Sequence, residues 1–445
     1  MNLSVIGGGL AGSEAAWQAA EADIHVDLYE MRPVVQSPAH ETADLGELIC
    51  SNSLGSSLPE RASGMLKEEL RQLNSLLLHI AEACSIPAGS ALAVDRTGFS
   101  QKITETLGNH PNINIIRQEV TEIPNGPCII ATGPLTSDNF SIALAHFTGN
   151  NHLFFYDAIA PIVQKSSIDF NIAFRASRYD KGTDAEGDYI NCPMSREQYF
   201  AFVEALTGAQ RIQLKSFEEE INNGVQAGSG KYFEGCLPVE VMAARGPDTL
   251  AYGPLTPKGL MHHTEEKPYA VVQLRRDNLS DSLYNMVGFQ TNLTFPEQKR
   301  VLRMIPGLEN AEFYRYGQMH RNTFLYAPAI LLPTLQTQKR ADCFIAGQLT
   351  GVEGYMGNIA TGAMAGINAA RYLQSKPQWV LPPTSMMGAL LEYITHADQK
   401  DFQPMKANFG ILPPLPKKIH DKRKRFLAYT RRGLDDLSAY MAQEE

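Results

Sequence analysis

The sequence predicts an α/β fold: an open parallel sheet begun at the start of the chain, completed past residue 340, and interrupted by an inserted α/β segment. Three observations carry this reading. The stretch "NLSVIGGGLAGSEAAWQAAEADIHVDLYE" reads strand, glycine turn, helix, strand within about 30 residues. Near the other end, "ADCFIAGQLTGVEGYMGNIATGAMAGINAARYL" (341–373) repeats the passage from strand through glycine-rich loop to a long small-residue helix. The length, 445 residues, exceeds one compact domain, and 44% hydrophobic with 20% charged content is ordinary for a globular chain with a sizeable core.

The elements follow in order. Leu3 to Ile6 are apolar and partly β-branched, Ala11 to Ala22 are helix formers, and His25 to Tyr29 return to strand character. Gly7, Gly9 and Gly12 stand in G-x-G-x-x-G spacing around Gly8, Leu10 and Ala11, and Glu30 closes the second strand 18 residues after Gly12. The first glycine permits the tight turn, the second lets backbone approach a pyrophosphate, and the third lets helix and strand pack closely. The helix N-terminus offers unpaired N–H groups to phosphates, and Glu30 would accept the hydroxyls of a ribose. A dinucleotide site is the expectation. "NINIIRQEVTEI" (112–123) and "PCIIATGP" (127–134) read as further strands, the second ending in an Ala-Thr-Gly turn. A nucleotide fold begun at residue 1 and finished past 340 is the plan of a glutathione-reductase-like FAD-binding Rossmann domain with an inserted α/β domain. FAD is therefore favoured over NAD as the held cofactor. The expected division is 1–150 and 320–375 for the FAD-binding domain, 151–319 for the insertion, and 376–445 for a C-terminal appendage with Pro-rich joints.

Composition bounds the rest. "LSVIGGGLAG" is no signal peptide and no apolar run reaches ~18 residues, so neither export nor membrane spanning is expected. Six scattered cysteines without a disulfide spacing suit a reduced, cytoplasmic chain. The formal charge of −9 argues against a uniformly cationic nucleic-acid binder. Yet "KKIHDKRKRFLAYTRR" (417–432) holds eight Lys/Arg and one Asp, 8 − 1 = +7, which leaves −9 − 7 = −16 elsewhere. Such contrast suits a polyanion partner as well as it suits a solvated helix face. His262 and His263 lack a ligand spacing, so no metal is expected, and His320 and Arg321 suit either the pocket or plain packing.

The cysteines divide by context. Cys128 and Cys343 stand in apolar strands, where free cysteine is a small inert hydrophobe, and Cys84 is grouped with them. Cys192 has no evident place. Cys50 follows Leu48 and Ile49 into a Ser-Asn-Ser turn. Cys236, in "YFEGCLPVEVMAARG", precedes Pro238 at the mouth of a short helix whose dipole would lower a thiol pKa. Taken alone, Cys236 is as readily structural as reactive.

"VIGGGLAGSEAAW", "ELICSNSLGS", "YFEGCLPVEVMAARG", "GPLTPKGL", "MHRNTFL" and "AGQLTGVEGYMGNIATGAMAGINAAR" together resemble the TrmFO family of folate- and FAD-dependent tRNA (uracil-5-)-methyltransferases, in family order over about the first 375 residues. The resemblance implies that methylene from 5,10-methylenetetrahydrofolate goes to C5 of the T-loop uridine of tRNA, with reduced FAD as reductant and NADH or NADPH restoring it. It implies Cys50 and Cys236 as the catalytic pair, and Gly7 to Gly12 with Glu30 at the adenosine pyrophosphate. Gly347, Gly351 and Tyr355 would approach the flavin. Gly55, where many relatives carry a basic residue, is one departure. The same chemistry on ribosomal RNA, and a flavin oxidoreductase or RNA-binding flavoprotein without methyltransferase activity, stand as the alternatives.

Overall fold

Leu3 and Val5 are fully buried in the strand Asn2–Ile6, which lies at the centre of a five-stranded parallel sheet. Across that sheet the order is Cys343–Ile345, Cys128–Ile130, Asn2–Ile6, His25–Glu30 and Ile113–Arg117. Parallel neighbours need a covered crossover. Here the helix Leu10–Glu21 supplies the first one, returning the chain to pair Leu3 with Val26 and Val5 with Leu28. The computed structural model describes residues 2–37, 39–149, 152–180, 182, 184, 186–212, 237–260, 264, 266–398 and 402–444.

The strand read over 112–123 is shorter, Ile113–Arg117. Its apolar character ends in the polar run Gln118–Glu119, and Gln118 N–H turns back to the carbonyl of Glu30. The late strand Cys343–Ile345 and the helix Tyr355–Leu373 fall where they were expected. That helix meets Leu10–Glu21 backbone to backbone. A Cβ on Gly362 would stand 2.3 Å from the Ala11 carbonyl oxygen, and one on Gly366 2.5 Å from that of Ala15. The small-residue helix is thus the shape of its partner.

The inserted residues build a second sheet of six strands, antiparallel throughout. Its order is Phe174–Ala176, Tyr189–Met194, Ala270–Arg276, Leu283–Met286, Ile162–Gln164, Phe313–Arg315. Tyr199, Phe202 and Leu206 of the helix Arg196–Thr207 bury against it, with Phe289 and Val301, as a core of their own. Cys192, unplaced from sequence, sits there fully buried, and burial pushes its thiol up to about 12. The strands His152–Ala158 and Met319–Leu325 pair antiparallel as the way into and out of the insertion.

The chain after residue 376 departs from the expected appendage. Trp379, Leu381, Met386, Leu390, Ile394, Leu412 and Leu437 share the core of the parallel sheet. The reason is a buried cap: the Glu69 carboxylate accepts from Met386 N–H at 2.6 Å and Met387 N–H at 2.8 Å, at the start of the helix Met386–His396. The C-terminal helix Lys422–Glu444 then buries Thr430, Gly433 and Leu437.

Candidate active site

Where Asn2–Ile6 ends, the glycine turn opens onto a cleft of about 1250 Å³ of empty space, part of it reaching solvent. Each glycine of the fingerprint has a separate reason. Gly7 has φ +102° and a Cβ there would meet the Ala131 carbonyl at 2.5 Å, while a Cβ on Gly12 would strike the Gly7 carbonyl at 1.8 Å. Gly9 differs: nothing lies within 4 Å of the place its Cβ would take. It is open to the cleft, at the N-cap of Leu10–Glu21, where the unpaired N–H groups begin. Gly8 instead faces Leu45 and Glu30.

Glu30 ends its strand inside the cleft. One carboxylate oxygen accepts Gly8 N–H at 3.0 Å, and the other accepts Arg32 N–H at 3.0 Å and Arg32 Nε at 2.8 Å. Burial works to raise its pKa, but the Arg32 hydrogen bond and charge outweigh it, so the net shift is downward and the group stays ionised. Arg32, itself buried, also holds Glu47 at 2.9 Å. His40 lines the same wall; burial and the Arg32 charge press it down to about 4, so its ring is neutral at pH 7. Opposite, Asn358 in the first turn of Tyr355–Leu373 presents a buried Oδ1 that has no hydrogen-bond partner among the described residues. An open glycine at a helix N-terminus, an ionised acid at the strand end and an orphaned amide oxygen are together the donor and acceptor set that a flavin dinucleotide needs.

Cys50 lies on this cleft too, half-buried, and its loop is clamped from four sides. The Tyr355 hydroxyl accepts Cys50 N–H at 3.0 Å and Ser51 N–H at 3.2 Å, and donates to Cys50 Sγ at 3.4 Å. Arg96 donates to the carbonyls of Leu48 and Ile49 and pairs with Asp277 at 2.9 Å. Arg315 reaches the Ile49 carbonyl at 3.2 Å and the Ala39 carbonyl at 2.9 Å. Arg275 bonds Ser51 Oγ at 2.7 Å and Asn52 Oδ1 at 2.9 Å. Burial, then the neighbouring Cys50, raise Tyr355 well above the ordinary phenol range, so the hydroxyl remains a donor toward sulfur.

Of the residues singled out in the sequence, Gly7, Gly9, Leu10, Ala11, Glu30, Cys50, Gly347 and Tyr355 line this single cleft. Gly12 packs behind it. Gly351 does not line it: at φ +83° it caps the turn after Thr350 and faces Phe402. Tyr355 meets the thiol loop, a contact the sequence reading did not foresee. Cys236, His262 and His263 lie outside the described residues, as does most of the stretch before Leu237; Pro238 precedes a short helix, Val239–Ala243. Arg96, Arg275 and Arg315 were missed altogether. One signal was present, since "AVVQLRRD" sets arginines in an apolar strand, where a charge needs a partner. Among the described residues no group of three His, Cys, Asp or Glu stands ready for a metal, and no helix is long and apolar enough to cross a membrane.

The basic run falls on the segment leading into Lys422–Glu444 and on that helix's first turns. Lys417, Lys418, Lys422, Arg423, Lys424 and Arg431 are exposed. Because Thr430, Gly433 and Leu437 are core, cutting the chain after Pro416 would remove packing as well as charge, and substitutions test the charge more cleanly.

The family described as glucose inhibited division protein A matches residues 2–377. The methylenetetrahydrofolate–tRNA-(uracil-5-)-methyltransferase TrmFO of Halalkalibacterium halodurans is 53% identical over 441 residues, covering 99% of this chain and 98% of the relative. That of Heliobacterium modesticaldum is 53% identical over 445 residues, 100% and 98%. That of Enterococcus faecalis is 53% identical over 434 residues, 97% of each. Aquifex aeolicus GidA has a similar fold in two crystal forms, with TM-scores of 0.69 and 0.67, 17% and 18% identity, 99% and 100% of this chain covered, and 75% and 78% of that one.

Proposed function

The chain belongs to the glucose inhibited division protein A family and, within it, to the TrmFO methyltransferases, and from that premise we propose that it methylates C5 of the T-loop uridine of tRNA with 5,10-methylenetetrahydrofolate as carbon donor. The observation that carries the reading is a shared cleft: Cys50 and the glycine fingerprint face one space. FAD fits the residues there. Gly9 and the start of Leu10–Glu21 would take the pyrophosphate and Glu30 the ribose, and Gly347 and Asn358, on the same cleft, would hold the flavin. When bound and reduced, FAD supplies the hydride equivalent that turns methylene into methyl, and NADH or NADPH supplies its electrons. We place the enzyme in the cytoplasm, with tRNA and folate.

Uracil C5 is a poor nucleophile until a thiolate adds at C6 and pushes an electron pair toward C5 and the adjoining carbonyl. We assign that addition to Cys236. C5 then bonds to the methylene carbon as the first of its two folate nitrogens leaves, and Cys50 accepts the C5 proton as the second C–N bond breaks. Addition of one hydride equivalent to that carbon makes it methyl, expels the Cys236 thiolate and restores the C5–C6 double bond. Tyr355, by holding Cys50 N–H and Sγ together, keeps that thiol aimed into the cleft. The exposed lysines and arginines of 417–432 hold the phosphate backbone. The test is incorporation of label from methylenetetrahydrofolate into C5 of uracil in a tRNA transcript, with and without FAD. Label in ribosomal RNA alone, or flavin reduction without label, overturns it.

A further inference from the structure

Beside the basic helix lies a second groove, with about 750 Å³ of empty space, remote in sequence from the glycine fingerprint. Phe409, Phe426 and Tyr429 line it, half-buried, as near-parallel rings. Phe409 and Phe426 stand 4.5 Å apart at 17°, and Phe409 and Tyr429 5.9 Å apart at 28°. Cations cover these rings: Arg425 Cζ lies 5.5 Å and Lys422 Nζ 5.7 Å from the Phe426 centroid, and Arg432 Cζ lies 5.3 Å from that of Tyr429. Packing alone would explain buried rings. It does not explain a ring stack left half-open where Phe409 meets two rings of a run of charge +7 on a chain of charge −9.

We propose that this groove is a stacking site for an unpaired nucleotide of the RNA substrate, a base lying on the Phe426–Phe409 face and its phosphates on Arg425 and the neighbouring lysines. Arginine planes interleaved with aromatic rings recognise single-stranded nucleic acid by stacking and charge without reading sequence. The groove is tied to the thiol loop. Thr430 Oγ1 donates to the Pro59 carbonyl at 2.7 Å and Arg423 pairs with Glu60 at 3.0 Å, so its wall continues the chain that runs from Cys50 through the strand Ser53–Ser56. About ten residues separate Cys50 from Glu60, at most about 35 Å of chain. About ten stacked nucleotides cover that distance at ~3.4 Å each, so one folded RNA can occupy both places.

The inference rests on the assignment of an RNA substrate, and binding to the full-length protein separates the two. An oligouridylate of about eight nucleotides should bind about tenfold more tightly than an abasic ribose-phosphate oligomer of equal length. Phe426→Leu should lose that advantage, Phe426→Trp should keep it, and neither should change the slope of affinity against salt. Arg425→Gln should lower that slope by about one counterion. Equal affinity for the abasic oligomer on wild-type protein overturns the site without recourse to any variant. Displacement of the oligouridylate by polyglutamate at equal charge, with and without Phe426→Leu, would mark an acidic protein surface as the occupant and also overturn it. Failure of methyl transfer with this binding intact would strike the proposed reaction instead.

Discussion

Tyr355 satisfies two backbone donors and a thiol with one oxygen, so its removal has a cost that can be read at the residue scale. Tyr355→Phe strands Cys50 N–H and Ser51 N–H in a half-buried place, at about 1 kcal/mol or more. Methyl transfer should fall at least tenfold while flavin stays bound; unchanged turnover in a steady-state assay would remove Tyr355 from the thiol's support. Cys50→Ser should reduce uracil methylation below detection and leave NADH oxidation at the flavin near normal, since serine at its ordinary pKa is a poor substitute for a thiol in proton or nucleophile chemistry. The combination with Cys236→Ser should cost little more than either alone, because groups acting as one unit are non-additive. Cys50 itself was legible only through its family context. Of the three arginines around it only Arg275 left a trace, as a charge in an apolar strand, while Arg96 and Arg315 reach the loop from distant parts of the chain and leave no spacing in the sequence.

At the scale of elements, the fingerprint was legible because it is local. Gly7, Gly9 and Gly12 fall in one turn of one βαβ unit, so three positions suffice to read it, although the contacts differ: Gly12 meets Gly7 inside the unit, Gly7 meets Ala131 outside it, and Gly9 meets nothing. Gly9→Leu should fill the open approach to the cleft and yield colourless protein of nearly normal stability, checked by flavin absorbance and thermal unfolding together. Gly362→Val should do the reverse. Its side chain would meet the Ala11 carbonyl, force apart two helices, and lower stability by about 3 kcal/mol or more, measured by denaturant unfolding. The antiparallel sheet of the insertion was not legible in the same way. Its strands are three to seven residues long, and neighbours such as Leu283–Met286 and Ile162–Gln164 are set by tertiary pairing.

For the whole molecule, two cores are joined by polar contacts as well as by chain. Asn52, fully buried, donates to the carbonyls of Val94 at 3.0 Å and Arg276 at 2.9 Å, and accepts from Arg275. Charge also gives the insertion its own pH dependence. Burial works against ionised Asp281, but Lys165, Tyr284, Arg175 and Arg276 bring it down to about 2 from 3.8. Its folded pKa is lowered, so the stability it contributes is present above about pH 4 and is lost as pH falls toward 2. Because about a quarter of the side chain meets solvent and its charged partners reach the surface, that contribution is about 1 kcal/mol, not the larger value of the raw shift. Asp281→Asn should unfold more easily than wild type at pH 6 and equally at pH 2, followed by circular dichroism. A pH-independent difference would contradict the sign. The expected appendage proved to be core because Glu69 and the cap it forms are separated by more than 300 residues, beyond any local pattern.

The pairing of Cys343–Ile345 with Cys128–Ile130 has a further consequence, during synthesis. A ribosome adding about 5–20 residues per second needs roughly 10–40 seconds to make the 215 residues from Cys128 to Cys343. Throughout that interval four of the five strands of the parallel sheet are present with an open edge at Cys128–Ile130, whereas the whole insertion emerges within it and can fold first. Translation speed between residues 130 and 340 therefore sets how long the unfinished edge must be kept from other chains.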